Sequence, residues 1–238
     1  MAPRETRIGV VVPFDAALDR EYWDLVPSDV SVHMTRTPFH HGSVGIPLAR
    51  AVAEPQEAAD AVGTLVAIEP DVIAYACTSG SFVNGLSGER ALRSAMQAAG
   101  AHRAVTTSGG LLDALRALGV RRVALGTPYV SELGELLRDF VEEAGFEAVS
   151  LVNLDLDAGI ADVGASEVER LAAAAHRPEA DALFLSCTNL RTVDLLPVLE
   201  ARYGIPVLSA NQVTMWAALR AAGIQTPPSS LSPPRSAR

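Results

Sequence analysis

Short, unbroken runs of apolar residues recur along the chain and alternate with segments of helical periodicity. Five runs predict strands, at residues 7–13, 71–77, 122–128, 181–187 and 205–210. Because these runs are apolar throughout, and not at every second position, they suit strands that are covered on both faces, as in a parallel sheet. The alternation of such strands with helices predicts an α/β fold.

The helical segments carry start and stop signals. Pro55 is predicted to occupy a first helical position, and Ser131 is predicted to cap a helix that Gly145 ends. Ser166 and Glu169 together predict a capping box for a further helix. The helix after Ser131 presents one apolar stripe, made of Leu133, Leu136, Leu137, Phe140 and Val141.

The two halves of the chain repeat one another. "RIGVVVPF" from Arg7 matches "RVALGTPY" from Arg122, at an offset of 115 residues, and "DVIAYACTS" from Asp71 matches "DALFLSCTN" from Asp181, at an offset of 110 residues. The repeat predicts two pseudosymmetric, Rossmann-like α/β halves with parallel sheets and an active site in the cleft between them. We assign residues 1–117 and 118–225 to these halves, with the last helix a candidate to pack on the first half. Residues 226–238, rich in Pro and Ser, are predicted to be a disordered tail.

The two cysteines of the chain, Cys77 and Cys187, occupy equivalent places in this repeat. Each ends a predicted strand and is followed by a threonine. Ligands of parallel sheets bind beyond the carboxyl ends of the strands, so halves that face one another would bring both thiols to one site. The alternative is that both cysteines are buried as small apolar residues, which is common for free cysteines.

The residues around the cysteines suit a carboxylate ligand. The hydroxyls of Thr78, Ser79 and Thr188, the amide of Asn189 and nearby backbone N–H groups can hold a carboxylate and its enediolate form. The same N–H groups are expected to lower the pKa of the thiols. Two thiols could then exchange a proton at the carbon next to the carboxylate, or one could add to a double bond while the other moves a proton.

The equivalent aromatic residues Tyr129 and Phe14 end the first strand of each half. Tyr129 is a candidate hydroxyl donor to the substrate, and Phe14 lacks that hydroxyl, so the predicted pocket is asymmetric. Three further candidates are weaker. His40 and His41 lie in a loop that could form a lid, and Arg191 could pair with a substrate carboxylate. Trp23 and Trp216 are predicted to lie in the core or at an interface, not in the site.

Composition narrows the classes of function. The 238 residues carry a formal net charge of −9, which argues against nucleic acid or an anionic membrane surface as a partner. The sequence has no apolar run of the ~18 residues that a membrane span needs, no signal-peptide pattern and no GxGxxG nucleotide fingerprint. Two cysteines without CxxC spacing are neither a disulfide framework nor a zinc site. We expect a cytoplasmic protein with free thiols, no metal and no cofactor, and the oligomeric state stays open, a homo-oligomer included.

Several motifs resemble the aspartate/glutamate racemase superfamily, in particular its branch of maleate cis–trans isomerases, arylmalonate decarboxylases and EutA-like proteins. The resemblance extends to about Gly223 and is carried by "VVP", "ACTSGS", "LGVRRVALGTPY", "LSCTNLRT" and "GIPVLSANQ". By similarity to the isomerases, Cys77 would be the nucleophile and Cys187 the acid/base. By similarity to the decarboxylases, Thr78, Ser79 and Tyr129 would bind a carboxylate.

The resemblance implies a cofactor-independent isomerase, of the maleate isomerase or racemase type, acting on a small mono- or dicarboxylate. The decarboxylases usually carry glycine in place of Cys77, so the second thiol favours isomerase chemistry. The maleate isomerases usually read "VPSSN", with a substrate-binding asparagine where this chain has Ala16 beside Asp15. Maleate itself is therefore in question, and Asp15 becomes a candidate binding residue. An arylmalonate-type decarboxylase and a protein that binds a carboxylate without turnover remain as alternatives.

Overall fold

The computed structural model describes residues 4–225, so the predicted tail at residues 226–238 lies outside the described residues. Within this range the chain forms eight strands, ten α-helices and two short 3₁₀ helices, Val66–Ile68 and Ile160–Asp162. The strands are β1 (Thr6–Val12), β2 (Val30–Arg36), β3 (Val72–Tyr75), β4 (Ala104–Thr106), β5 (Arg122–Thr127), β6 (Glu147–Asn153), β7 (Ala182–Leu185) and β8 (Val207–Ser209). The helices are α1 (Asp19–Asp24), α2 (Ile46–Val52), α3 (Pro55–Gly63), α4 (Thr78–Phe82), α5 (Gly85–Ala98), α6 (Thr107–Ala117), α7 (Ser131–Glu143), α8 (Ala165–Ala175), α9 (Leu196–Tyr203) and α10 (Ala210–Ala221).

The strands form two four-stranded parallel sheets with the same strand order. The first runs β2-β1-β3-β4 and the second β6-β5-β7-β8. Ile8 lies beside Val72 in the first sheet, and Val123 lies beside Ala182 in the second, at the offsets of 115 and 110 residues that the repeat has in sequence. The α/β fold with two pseudosymmetric halves is confirmed.

Equivalent aspartates explain part of the repeat. An Asp71 carboxylate oxygen accepts a hydrogen bond from the main-chain N–H of Arg7 (2.9 Å), and Asp181 accepts one from the N–H of Arg122 (2.9 Å). Each aspartate therefore ties the segment just before β3 or β7 to the start of the neighbouring strand. The arginine and the aspartate that recur in the sequence repeat are therefore the two residues that this hydrogen bond joins.

The last helix joins the two halves. Helix α10 follows β8 of the second sheet but packs against α6, β3 and β4 of the first half. Met215, Ala218 and Leu219 of α10 belong to the same apolar cluster as Ile8 and Val10 of β1. This crossing fixes the orientation of the two halves, and therefore of the loops that follow their central strands.

Two predicted helix starts are wrong, and one is confirmed. Pro55 opens α3 as expected. Ser131 is itself the first residue of α7, and its hydroxyl donates to the Asp155 carboxylate (2.8 Å) instead of capping the helix. Helix α8 begins at Ala165 with Gly164 before it, so Ser166 does not form a capping box with Glu169. A capping box occurs at α10, where Ser209 and Gln212 bond reciprocally.

Candidate active site

A cavity of about 320 Å³ lies at the carboxyl ends of the strands, between the two halves. The nine residues predicted for the site all line it: Phe14, Asp15, Cys77, Thr78, Ser79, Tyr129, Cys187, Thr188 and Asn189. They come from the segments that follow β1, β3, β5 and β7, so the pseudosymmetry of the fold brings them together.

Cys77 directly precedes α4, and the side chain of a buried tyrosine contacts its thiol. Its Sγ accepts a hydrogen bond from the backbone N–H of Gly80 (3.4 Å) and lies 3.9 Å from the Ser79 hydroxyl. The fully buried hydroxyl of Tyr75 donates to the carbonyl of Val52 and interacts with the Cys77 thiol. The thiol is therefore fixed between a backbone amide and a phenol.

Glycine at position 80 is required by this packing. A Cβ atom there would lie 2.5 Å from the Tyr75 hydroxyl oxygen, 3.1 Å from the Cys77 Sγ and 3.2 Å from a methyl group of Val52. The first distance is shorter than any normal contact, and the hydroxyl cannot retreat because it is bonded to Val52. The glycine of "CTSGS" thus lets the tyrosine approach the thiol.

Cys187 has a strained backbone. Its φ of 91° lies in the left-handed region that non-glycine residues seldom adopt, at a cost of about 1–3 kcal/mol. Its Sγ accepts a hydrogen bond from the N–H of Asn189 (3.4 Å), and the Tyr129 hydroxyl interacts with the thiol. Each cysteine consequently has one backbone N–H and one tyrosine hydroxyl beside its sulfur.

The expected lowering of the thiol pKa values is not borne out. Burial raises the pKa of Cys77 to about 11 and that of Cys187 to about 12. The N–H groups of Gly80 and Asn189 and the tyrosine hydroxyls do lower both pKa values, but desolvation outweighs them because both thiols are almost inaccessible. Both groups are therefore neutral thiols at neutral pH, and either would have to lose its proton before it could act as a nucleophile or a base.

The cavity wall contains a buried hydroxyl that lacks a partner. Thr78 is 1% exposed, and within the described residues its Oγ1 forms no hydrogen bond. A buried polar group without a partner is costly in a folded protein, and a ligand oxygen can satisfy it. Thr188 and Tyr129 supply further hydroxyls, 6% and 2% exposed, from the other half.

Asn189 connects the two halves across the cavity. Its Nδ2 donates to the main-chain carbonyl of Asp15 (3.0 Å), and its Oδ1 accepts from the N–H of Ala17 (2.9 Å). Asn189 lines the cavity as predicted, yet its side-chain amide is occupied by the loop after β1. The residue therefore holds the backbone of Asp15 in place.

A buried carboxylate supports the segment after Cys187. Glu21 of α1 is 8% exposed and accepts hydrogen bonds from the N–H groups of Thr192 (3.1 Å) and Val193 (3.4 Å) and from Asn211 Nδ2 (2.7 Å). Asn211 also donates to the carbonyl of Thr188 (3.0 Å). No sequence pattern predicts this network, because its members lie far apart along the chain and on three different segments.

Two loops that the sequence reasoning missed complete the cavity. Residues 42–45 of the first half and 157–161 of the second half line it, and the N–H of Val44 donates to the Asp157 carbonyl (2.7 Å). His40 and His41 do not line the cavity. His40 pairs with Glu57 (2.9 Å) and His41 packs edge-on against Phe39, so they flank the loop at residues 42–45.

The remaining candidates lie elsewhere. Arg191 is exposed and does not line the cavity. Trp216 is 2% exposed in the core, whereas Trp23 is 47% exposed. Among residues 4–225 no group of His, Cys, Asp and Glu is arranged to hold a metal ion, and none of the helices described is long and apolar enough to cross a membrane.

Comparison with known proteins agrees with this architecture. Residues 52–232 match the family described as arylmalonate decarboxylase. The chain belongs to the arylmalonate decarboxylase family. The enzyme of that name from Bordetella bronchiseptica is 36% identical over 156 residues, which span 64% of this chain and 65% of that enzyme. The maleate isomerase of Nocardia farcinica is 34% identical over 231 residues, 90% of this chain and 89% of that enzyme.

Solved structures of both enzymes share the fold. A liganded double mutant of arylmalonate decarboxylase, with glycine replaced by cysteine and cysteine by serine, superposes with a TM-score of 0.85 and 31% identity over 93% of this chain and 94% of that chain. A second match is a cysteine-to-serine mutant of Nocardia farcinica maleate cis–trans isomerase with a covalently bound succinylcysteine intermediate. It superposes with a TM-score of 0.83 and is 27% identical in sequence, and the match covers 92% of this chain and 93% of that chain. The chain is an enzyme, and relatives over nearly its whole length are isomerases. The likeness to the EutA-like proteins stays a prediction.

Proposed function

We propose that this member of the arylmalonate decarboxylase family is a cofactor-independent isomerase of a small carboxylate, with Cys77 and Cys187 as the reacting groups. The observation that carries the proposal is that both thiols, from equivalent positions of the two halves, line one cavity of about 320 Å³. A volume of this size suits a molecule of a few carbon atoms.

For an unsaturated substrate, the Cys77 sulfur adds to one carbon of the double bond while Cys187 donates its proton to the neighbouring carbon. The proton that Cys77 loses replaces the one that Cys187 gave. The former double bond is then single and rotates. In the reverse step, Cys187 passes its proton to the Cys77 sulfur as the bond between that sulfur and carbon breaks, and it takes up a proton from the neighbouring carbon in its place. The isomer then leaves with both thiols restored.

For a saturated substrate, the same two groups would act as a racemase pair. One thiol, once ionised, removes the proton from the carbon next to the carboxylate, and the other delivers its own proton to the opposite face. The hydroxyl of Thr78, which is buried and has no partner among the described residues, and the Tyr129 hydroxyl would hold the carboxylate as it becomes an enediolate.

A decarboxylase is the second candidate, and two observations favour it. The family match and the Bordetella bronchiseptica relative carry that name, and the cavity wall includes the apolar side chains of Val44, Leu48 and Val52. A carbanion left by loss of CO₂ would need only one thiol as proton donor. The presence of Cys77 opposite Cys187 favours the isomerase. Free thiols at the site also suit the cytoplasm, where cysteines stay reduced.

Proton NMR in D₂O, with a panel of small acids, tests the proposal. The panel contains maleate, aspartate, glutamate, a hydantoin, a 2-aryl malonate and ectoine-pathway acids, each with wild type, Cys77→Ala and Cys187→Ala. We expect isomerised product or deuterium at the α-carbon with wild type, and neither with either variant. Loss of CO₂ that depends on Cys187 alone would establish the decarboxylase. Binding without turnover, unchanged in both variants, would contradict the enzyme proposal.

A further inference from the structure

The ionisable side chains that line the cavity are all acidic or neutral at physiological pH. They are the carboxylates of Asp15 and Asp157, the thiols of Cys77 and Cys187 and the phenol of Tyr129; lysine, arginine and histidine are absent from the described cavity wall. A dicarboxylate would bring two further negative charges to this wall. Like charges that lie close together in a partly dehydrated site repel strongly.

Asp15 is held in place by the opposite half. The Asn189 amide donates to the Asp15 carbonyl (3.0 Å) and accepts from the N–H of Ala17 (2.9 Å), so the backbone directly after the Asp15 side chain is fixed. A carboxylate on a fixed backbone cannot easily move away from a ligand, and this preorganisation increases its effect on specificity.

The charge of Asp15 reaches both reacting sulfurs. It is among the main causes that raise the pKa of Cys77 and the pKa of Cys187, and Asp157 is not among them. Of the two carboxylates that line the cavity, Asp15 therefore acts more strongly on the thiols, and Asp157, which is exposed at the cavity rim, acts on them less.

The same cavity has a place for one carboxylate. The Thr78 hydroxyl is buried, lacks a partner within the described residues and lies next to Cys77 in the chain. A substrate carboxylate can accept its hydrogen bond. The cavity thus offers a neutral donor for one end of the substrate and a fixed acceptor, Asp15, for another group.

We infer that the substrate is a monocarboxylate whose second polar group is a hydrogen-bond donor (an amide, a hydroxyl or an ammonium group), and that Asp15 determines this specificity. The inference rests on the proposed function, because it concerns the ligand of the same cavity. It separates this chain from its maleate isomerase relatives, whose name implies a dicarboxylate.

Two non-reacting probes of matched shape test the inference. Succinate carries two carboxylates, and succinamate replaces one of them with an amide. Their binding is measured as protection of Cys77 and Cys187 from alkylation by iodoacetamide, with each cysteine followed by mass spectrometry. The proteins are wild type, Asp15→Asn and Asp157→Asn, the last being a matched control with the same loss of charge at the rim. Turnover is not needed for this measurement.

We expect wild type to bind succinamate more tightly than succinate. Asp15→Asn should shift the preference toward succinate by about tenfold or more, equivalent to about 1.4 kcal/mol, while Asp157→Asn shifts it much less. Tighter binding of succinate to wild type, or an equal shift in both variants, would overturn the role of Asp15 and leave the isomerase proposal standing. Absence of protection by either probe or by any acid of the NMR panel would overturn both.

Discussion

Glu21 and Asn211 are joined by a buried hydrogen bond of 2.7 Å between elements that lie 190 residues apart in the chain. Asn211 extends the link to the Thr188 carbonyl, and Glu21 extends it to the N–H groups of Thr192 and Val193. The segment after Cys187, with its strained φ of 91°, is thereby held from both ends. This network explains how a costly backbone conformation persists at the site.

Replacing Glu21 with glutamine should impair Cys187 selectively. The amide cannot accept from Asn211 and from the two N–H groups as the carboxylate does, so we expect a loss of about 1–3 kcal/mol in the free energy of unfolding. We also expect a several-fold change in the rate of Cys187 alkylation, with that of Cys77 unchanged. Chemical denaturation and residue-resolved alkylation measure the two effects.

Glu89→Gln is the matched control for this variant. Glu89 is 5% exposed and is bonded to Thr106 (2.8 Å) and Arg93 (2.9 Å), and none of these residues belongs to the segment after Cys187. It should lose stability without a selective effect on Cys187. If both variants altered Cys187 equally, the positioning role of Glu21 would be wrong.

Each of the two tyrosines should affect the pKa of the thiol beside it and leave the other thiol unchanged. Interaction with the Tyr75 hydroxyl lowers the pKa of Cys77, and interaction with the Tyr129 hydroxyl lowers that of Cys187. Tyr75→Phe should therefore raise the pKa of Cys77 and slow its alkylation at pH 8, and Tyr129→Phe should do the same at Cys187. Each variant serves as the control for the other. A slowing of both thiols in both variants would indicate a general loss of packing instead.

Gly80→Ala should disturb the first thiol. The added methyl group would lie 2.5 Å from the Tyr75 hydroxyl oxygen and 3.1 Å from the Cys77 Sγ, so we expect a loss of about 1–3 kcal/mol of stability and a displaced thiol. Gly63→Ala is the control, because it lies in helix α3 with nothing within 4 Å of the added Cβ. That control should be neutral or stabilising by up to about 1 kcal/mol. Equal stability of both variants would contradict the packing described.

Alkaline pH should destabilise the protein through its thiols. The pKa values of Cys77 and Cys187 are raised to about 11 and about 12, against an ordinary value of about 8.5 in the unfolded chain. Between these values the unfolded chain has lost protons that the folded chain keeps, so stability is full below about pH 8.5 and falls as pH rises. From pH 8 to pH 10 each thiol should remove about 2 kcal/mol.

Urea denaturation at the two pH values measures this loss, and the double variant Cys77→Ala/Cys187→Ala is the control. The double variant retains the buried tyrosines, so its loss reports every group other than the thiols. We expect wild type to lose about 4 kcal/mol more than the double variant. Equal losses would mean that the thiols ionise as easily in the folded protein as in the unfolded chain.

The sequence predicted the four central strands and edge strand β8, and it missed edge strands β2, β4 and β6. Strands β3 and β7 are buried along their whole length and are therefore continuously apolar. Edge strand β2, "VSVHMTR", has mostly half-buried residues, and edge strand β4 has only three residues, so neither gives such a run. The repeat was detectable because its aspartates form equivalent hydrogen bonds and its cysteines occupy equivalent positions in the two halves.

The site residues that lie on the repeated segments were predictable from the sequence. The segments after the central strands carry the thiols and hydroxyls, and their positions follow from the fold class. The loops at residues 42–45 and 157–161 have no counterpart in the pattern, since only the tertiary structure joins Val44 to Asp157. The raised thiol pKa values were missed for a similar reason, because burial depends on the whole cavity wall.

The most direct test of the two-thiol account is the rate of the reaction that the NMR panel identifies, compared among wild type, Cys77→Ala, Cys187→Ala and the double variant. Groups that act in one step are not additive, so each single variant should lose nearly as much activity as the double variant, about 10³-fold or more. Circular dichroism confirms that all four proteins are folded. A single variant that keeps a tenth of the wild-type rate, or losses that multiply in the double variant, would contradict the claim that Cys77 and Cys187 act together on one substrate.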